Sequence, residues 1–204
     1  MRQAARKPIV VLAALAVIVA VGLAVTLGTR SPRGGTAGPG TAVIPGAPKC
    51  LDAVLRNAPV TVNVSSPQVR DGRLAVECTC DGTGRPPTVY AANLSGSKCA
   101  AIVIYDPDAP RGPFIHLVLV EHLAGSRVLP PVDGAVVGVN SAGRAGYYPA
   151  CPPRGSGIHR YVIVVIGLDY CPGLHPGFSL ESLCNSIKGH VVSYGYTAGA
   201  YARK

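Results

Sequence analysis

The chain has 204 residues, 48% of them hydrophobic, and a formal net charge of +9. That is room for one domain of roughly 150 residues with a real core, plus an appendage. Lys and Arg are scattered, with small excesses at the two ends (Arg2, Arg6, Lys7; Arg203, Lys204), and there are two Phe and no Trp. A nucleic-acid surface needs a basic stripe and stacking aromatics, so that class is set aside and the charge is read as solubility and attraction to anionic surfaces.

Residues 9–27 (IVVLAALAVIVAVGLAVTL) form a run of 19 without a charge, close to the ~20 needed to cross a bilayer core. The run predicts a transmembrane helix over 9–29. Arg2, Arg6 and Lys7 place residues 1–8 in the cytoplasm and the rest of the chain outside, as a single-pass protein of the cell membrane. A cleaved signal peptide, which would make the protein secreted, is the rival. The apolar run exceeds the ~7–15 residues of a signal core, which favours the uncleaved anchor. Residues 30–48, rich in Gly, Pro, Ser and Thr, read as a linker, and the folded domain is expected over 49–204.

Short strand signals then recur. Residues 60–64 (VTVNV) alternate with period two, 74–80 (LAVECTC) read as a strand, and Pro86-Pro87 lead into Thr88-Val89-Tyr90. Residues 100–104 (AAIVI), 117–120 (LVLV) and 162–166 (VIVVI) are buried-strand runs, and 190–201 again favour extended structure. Residues 128–139 are broken by Pro130, Pro131 and Gly134. Helical spacing appears late, over 179–188, where Leu180, Leu183 and Ile187 share a face, Ser179 or Ser182 can cap, and Gly189 stops the run. These signals predict a mainly β domain with one or two late helices.

Two polar segments interrupt the apolar runs. One is Tyr105-Asp106-Pro107-Asp108-Ala109-Pro110, continuing to His116, and the other is Gly155-Ser156-Gly157-Ile158-His159-Arg160-Tyr161. Carboxylates and imidazoles at the ends of buried strands are costly unless paired or functional. On a strand, His159 and Tyr161 project to one face and Arg160 to the other, where it is free to pair with an Asp of the first segment. Asp106 and Asp108 also suit a simple turn.

Residues from about 59 to 203 resemble the phosphatidylethanolamine-binding protein family, in its bacterial and archaeal Raf-kinase-inhibitor-like branch. The resemblance rests on an ordered set: Cys80-Asp81-Gly82 with Pro86-Pro87; Asp106-Pro107-Asp108-Ala109-Pro110; His116 opening an apolar strand; Pro152-Pro153 through Gly157-Ile158-His159-Arg160-Tyr161; and Lys188-Gly189-His190 before a last strand. It implies a two-sheet β fold with a small anion pocket lined by Asp106, His116, His159 and Tyr161, with Asp108, Pro152 and Pro153 close by. The chain departs from the family pattern at Leu117 and Tyr90, where Trp is usual, and at Pro149-Ala150 before Cys151. These departures touch the pocket rim and hence headgroup specificity.

Seven cysteines in an exported domain predict at least one disulfide and at least one unpaired thiol. Cys78 and Cys80, two apart on the expected strand, share a face but are poorly placed to pair with each other. No C-x-x-C spacing occurs, so a zinc site is not expected.

The reading is a membrane-tethered, non-catalytic module that holds a small anion or phospholipid headgroup and regulates or inhibits a protein partner; the resemblance further implies a homodimer, as microbial members of that family often form, though no residue pattern demands it. No cofactor, metal or catalytic residue is expected. The alternative is a hydrolase built on the His/Asp pair, with Ser141 or Ser156 as nucleophile; against it, Gly155-Ser156-Gly157 lacks the spacing of a nucleophile elbow. A third idea places a divalent metal on His116, His159 and Asp106.

Overall fold

The computed structural model describes residues 44–123, 128–129 and 134–204. The apolar run at 9–27 lies outside them. Among the described residues no helix is long and apolar enough to cross a membrane.

In chain order the elements are α1 (Lys49–Leu55), β1 (Asn63–Ser65), β2 (Val69–Arg70), β3 (Arg73–Leu74), a 3-10 turn (Val76–Cys78), β4 (Val89–Ala92), β5 (Cys99–Asp106), β6 (Phe114–His122), β7 (Val128–Leu129), β8 (Val136–Val137), β9 (His159–Leu168), α2 (Leu180–Ile187) and β10 (Val191–Tyr201). They form a seven-stranded sheet, ordered β2-β3-β10-β9-β5-β6-β8, and a three-stranded sheet, ordered β1-β4-β7. The domain is mainly β, as its alternating and apolar runs predict, and the late helix falls where the Leu180, Leu183, Ile187 spacing puts it. Ser179 accepts a hydrogen bond from the Ser182 N–H, and Gly189 sits at φ +82 just past the last turn. That is the expected cap and stop.

The three central strands, β5, β6 and β9, are buried on both faces, which explains their near-continuous apolar runs. On one face Ala101, Val103, Val164 and Ile166 pack against Leu51 and Leu55 of α1 and Leu183 and Ile187 of α2. On the other, Ile102, Ile104, Leu119 and Ile163 pack against Val62, Val89 and Ala91, so the small sheet covers that side. Gly195 of β10 is required there, since a Cβ would lie 1.9 Å from the Val62 carbonyl oxygen.

Two expectations are corrected. Residues 74–80 are not one strand: Leu74 ends β3, and 76–78 wind into the 3-10 turn, closed by Cys78 and Thr79 N–H groups donating to Ala75 and Val76 carbonyls. Cys78 and Cys80 therefore do not share a strand face. Packing also starts before Lys49, because Ile44 is already buried against the α1 face of the core.

Six cysteines form three disulfides: Cys50–Cys184 ties α1 to α2, Cys80–Cys151 ties the 3-10 region to residues before β9, and Cys99–Cys171 ties the start of β5 to the segment after β9. Cys78 is the free thiol among the described cysteines, and burial pushes it up to about 11, so it stays protonated and inert.

Candidate functional site

Strand direction gathers the site. β5 runs antiparallel to both β6 and β9, so its last residue, Asp106, meets the first residues of the other two. Groups 53 residues apart, Asp106 and His159, thereby become neighbours. His116 enters through a bulge: Ile104 faces Leu117 but Tyr105 faces Ile115, leaving His116 as the extra residue on β6. A bulge re-aims a side chain out of the regular alternation.

Asp106, His116, His159 and Tyr161 are each exposed by 4% or less. Asp106 Oδ2 lies 2.7 Å from His159 Nδ1, and its Oδ1 accepts the Asp108 N–H at 2.7 Å. His159 Nε2 lies 2.9 Å from the Ser156 hydroxyl, which also reaches the Pro153 carbonyl at 2.7 Å. Ser156 can fold back because Gly155 (φ +77) and Gly157 (φ +88) flank it with left-handed backbone that other residues rarely adopt.

His116 packs edge-on against Tyr161, with ring centroids 5.2 Å apart. Its Nδ1 is 2.7 Å from the Tyr148 carbonyl oxygen. A carbonyl only accepts, so Nδ1 carries the proton and the neutral ring presents an acceptor at Nε2. Burial lowers the His116 pKa, against smaller raising effects of the Tyr148 carbonyl and Asp106, and so favours that neutral form. Tyr161 is held well above the ordinary phenol range, first by burial and then by Asp106. Its hydroxyl is a donor at any physiological pH, and it has no hydrogen-bond partner among the described residues.

Asp108 has a different task. It takes the Arg160 backbone N–H at 2.9 Å and the guanidinium at 2.8 and 2.6 Å, on the exposed side of β9. The guanidinium keeps its carboxyl below the usual range. It is a brace, and the pairing of Arg160 with the first segment follows the expected alternation. Pro152 is buried and Pro153 exposed. Their loop is anchored by Cys80–Cys151 and by the mutual hydrogen bonds of Cys78, Cys80 and Ala150.

Residues 64–202 match the sequence profile of the family described as Phosphatidylethanolamine-binding protein. The chain belongs to that family. A UPF0098 protein of Pyrococcus horikoshii is 35% identical over 155 residues, covering 71% of this chain and 78% of its own length. One of Mycobacterium tuberculosis is 34% identical over 140 residues, covering 64% and 67%. Among solved structures, a putative phosphatidylethanolamine-binding protein homologue of Chlamydia trachomatis aligns with a TM-score of 0.65 and 26% identity, over 71% of this chain and 99% of its own. YbcL of E. coli, described as a member of the mammalian family, gives a TM-score of 0.64 and 25% identity over 70% and 99%.

Within this family member, other parts of the ordered motif set prove structural. Asp81 binds Arg203 through both carboxylate oxygens and accepts the Tyr201 hydroxyl at 2.8 Å. A Cβ at Gly82 would lie 2.1 Å from the Val76 carbonyl oxygen, so the chain cannot turn there with a larger residue. Sequence reasoning missed the aromatic rim. The Phe114 ring packs at a tilt, its centroid 4.9 Å from that of His116 and 5.4 Å from that of Tyr148, while Tyr147 lies 6.3 Å from His116 and donates to the Cys78 carbonyl. Phe114 faces Asp106 across the strands, but the bulge at His116 breaks the alternation that would relate the two rings in sequence. The Tyr147-Tyr148 pair carries no sequence signal either, because only the long loop between β8 and β9 brings it back.

Proposed function

We propose that the domain is a non-catalytic binding module whose pocket, built from Asp106, His116, His159 and Tyr161, holds a small oxyanion such as the phosphate of a phospholipid headgroup. The observation that supports this reading most is the convergence of four buried polar side chains at one end of the sheet, with the Tyr161 hydroxyl left as an unengaged donor. A buried donor without a partner is a cost that a bound acceptor removes. Asp106 is turned to His159, so its charge serves the imidazole and does not confront the anion directly.

His116 adds a condition. In its neutral form Nε2 accepts, so a phosphate oxygen can approach it only with a shared proton, brought by the ring or by a monoprotonated phosphate. Binding should therefore weaken as pH rises. Calorimetric titration of phosphate and of phosphoethanolamine into the full-length chain and into His159→Ala, at pH 6 and pH 8, tests the reading. The expected loss for the variant is ~1.5–3 kcal/mol, with tighter binding at pH 6. Equal affinities for the two proteins would remove this pocket from the account, and a preference for phosphoethanolamine would identify a headgroup over free phosphate.

A second reading is favoured by the chain Ser156, His159, Asp106, which has the order of a nucleophile, base and orienting carboxylate. Against it, the Ser156 hydroxyl has the Pro153 carbonyl as a competing acceptor. Ester turnover that disappears in both Ser156→Ala and His159→Ala would establish a hydrolase.

The uncharged run at 9–27 supports a membrane tether with the domain outside the cell. On this reading the protein sediments with membranes, and external protease releases the domain within the linker; soluble protein with a mature N-terminus near Thr29 would contradict it. A regulatory protein partner and a homodimer complete the proposal, and light scattering on the full-length chain in detergent checks the dimer.

A further inference from the structure

The opposite end of the same strands carries a second cluster that the anion pocket does not use. Cys99 opens β5 and pairs directly across from His122, the last residue of β6. Cys171 follows β9 and is bonded to Cys99. Cys171 Sγ lies 3.2 Å from His122 Nδ1, and the three ligand atoms all lie within 4.8 Å of one another. Asp106 and Cys99 stand at the two ends of β5, seven residues or roughly 23 Å apart, so this cluster is separate from the pocket.

Among the described residues the other two disulfides have no such neighbour. Cys50 Sγ contacts the Leu180 carbonyl, and Cys151 Sγ faces the Arg203 guanidinium, a cation that would repel a metal. Here the neighbour is an imidazole, and two sulfurs with one imidazole nitrogen are a donor set suited to Zn²⁺ or another thiophilic ion. Cys99 is buried, Cys171 is half-buried and His122 is exposed, which leaves one open side for entry and for a water as fourth ligand.

We propose that reduction of Cys99–Cys171 unmasks a three-ligand zinc site made of Cys99, His122 and Cys171. The disulfide takes two electrons from an external dithiol, which leaves as its own disulfide, and the dithiol's two protons pass to the two sulfurs. Zn²⁺ then displaces those protons and binds both thiolates, while His122 contributes the Nδ1 lone pair. The oxidised form cannot hold the ion because both sulfurs are spent on each other. The site thus reports the thiol state of its surroundings: closed as a disulfide where conditions oxidise, metal-loaded where they reduce.

Co²⁺, which gives a thiolate-to-metal charge-transfer band, is the probe. The full-length chain in detergent is reduced anaerobically with a phosphine, desalted and titrated with Co²⁺, then back-titrated with Zn²⁺, with circular dichroism recorded throughout. One equivalent of Co²⁺ should produce the band, Zn²⁺ should abolish it, and the unreduced protein should show none. Cys171→Ser should lose the band, and His122→Ala should bind at least ~10-fold more weakly. If full reduction unfolds the chain, limited reduction followed by alkylation and peptide mass spectrometry replaces it, and Zn²⁺ should protect Cys99 and Cys171 while leaving Cys50 and Cys184 reactive. No band in the folded reduced protein, an undiminished band in His122→Ala or Cys171→Ser, or no protection of Cys99 and Cys171 would overturn the proposal.

Discussion

The two ends of β5, β6 and β9 solve the same problem differently. At the end that carries the proposed anion site, Asp106, His116 and His159 are buried with hydrogen-bond partners, and the strands are held by a non-covalent chain running from Asp106 through His159 to Ser156. At the far end the strands are stapled by Cys99–Cys171, yet Glu121 of β6 is 2% exposed with no partner for either carboxylate oxygen among the described residues. Ser97 and Ser193 hydroxyls are likewise unpartnered there, close to Gly167. The far end is thus held covalently and the near end by hydrogen bonds, and each keeps a buried polar group without a partner among the described residues, Glu121 at the one and the Tyr161 hydroxyl at the other.

The largest effect should come from breaking the pocket pair. Asp106→Ala strands a buried imidazole and removes the acceptor of the Asp108 N–H, so urea denaturation should show a loss of ~3–5 kcal/mol. Asp108→Ala, two residues on, opens a partly exposed pair and should cost no more than ~1 kcal/mol. Similar losses would erase the distinction between buried site and exposed brace.

Opening the staple comes next. The double variant Cys99→Ala with Cys171→Ala should lose about 2–4 kcal/mol by the same measurement. Phosphate affinity at the other end should not change.

Glu121 carries an effect of opposite sign. Burial pushes its carboxyl up to about 7 from 4.5, so between those values the folded chain holds a proton that the unfolded chain has released. Stability from this group is therefore lost as pH rises through that window. Glu121→Gln should raise stability by about 2 kcal/mol at pH 8, some 4–8 °C in melting temperature, and change little at pH 4. His116 works the other way: its lowered pKa makes the unfolded chain bind the extra proton, so its contribution weakens as pH falls below ~6.5. A melting profile in Glu121→Gln that still falls with rising pH between 4.5 and 7 would reassign the effect.

The smallest stability change is expected at Tyr161. Tyr161→Phe removes an unpartnered buried hydroxyl, so the fold should be unchanged or gain up to ~1 kcal/mol while phosphate binding weakens. Loss of stability would mean that the hydroxyl already has a partner in the free protein.

Much of this was legible in the chain. Apolar runs give the three central strands because both faces are covered, and the i, i+3, i+7 pattern with Ser179 and Gly189 gives α2. His159, Arg160 and Tyr161 separate by simple alternation. The strand-like look of residues 74–80 misled because the Ala75 and Val76 carbonyls close a 3-10 turn, and Cys78 and Cys80 pair instead with Ala150, a residue far along the chain. α1 gave no clear helical signal: it has seven residues, and it is held by Leu51, Leu55 and the disulfide to α2. The bulge that aims His116, and the return of Tyr147 and Tyr148 to it, depend on register and on a long loop, neither of which a local pattern encodes.

The central claim is that an oxyanion enters the pocket and shares a proton with His116. Nitrogen NMR of the full-length chain with labelled histidines, titrated with inorganic phosphate near neutral pH, reads this at the atom concerned. The account predicts that His116 Nε2 moves from a lone-pair to a proton-bearing resonance on binding, while Nδ1 stays protonated against Tyr148. Unchanged His116 and His159 resonances at saturating phosphate would contradict it.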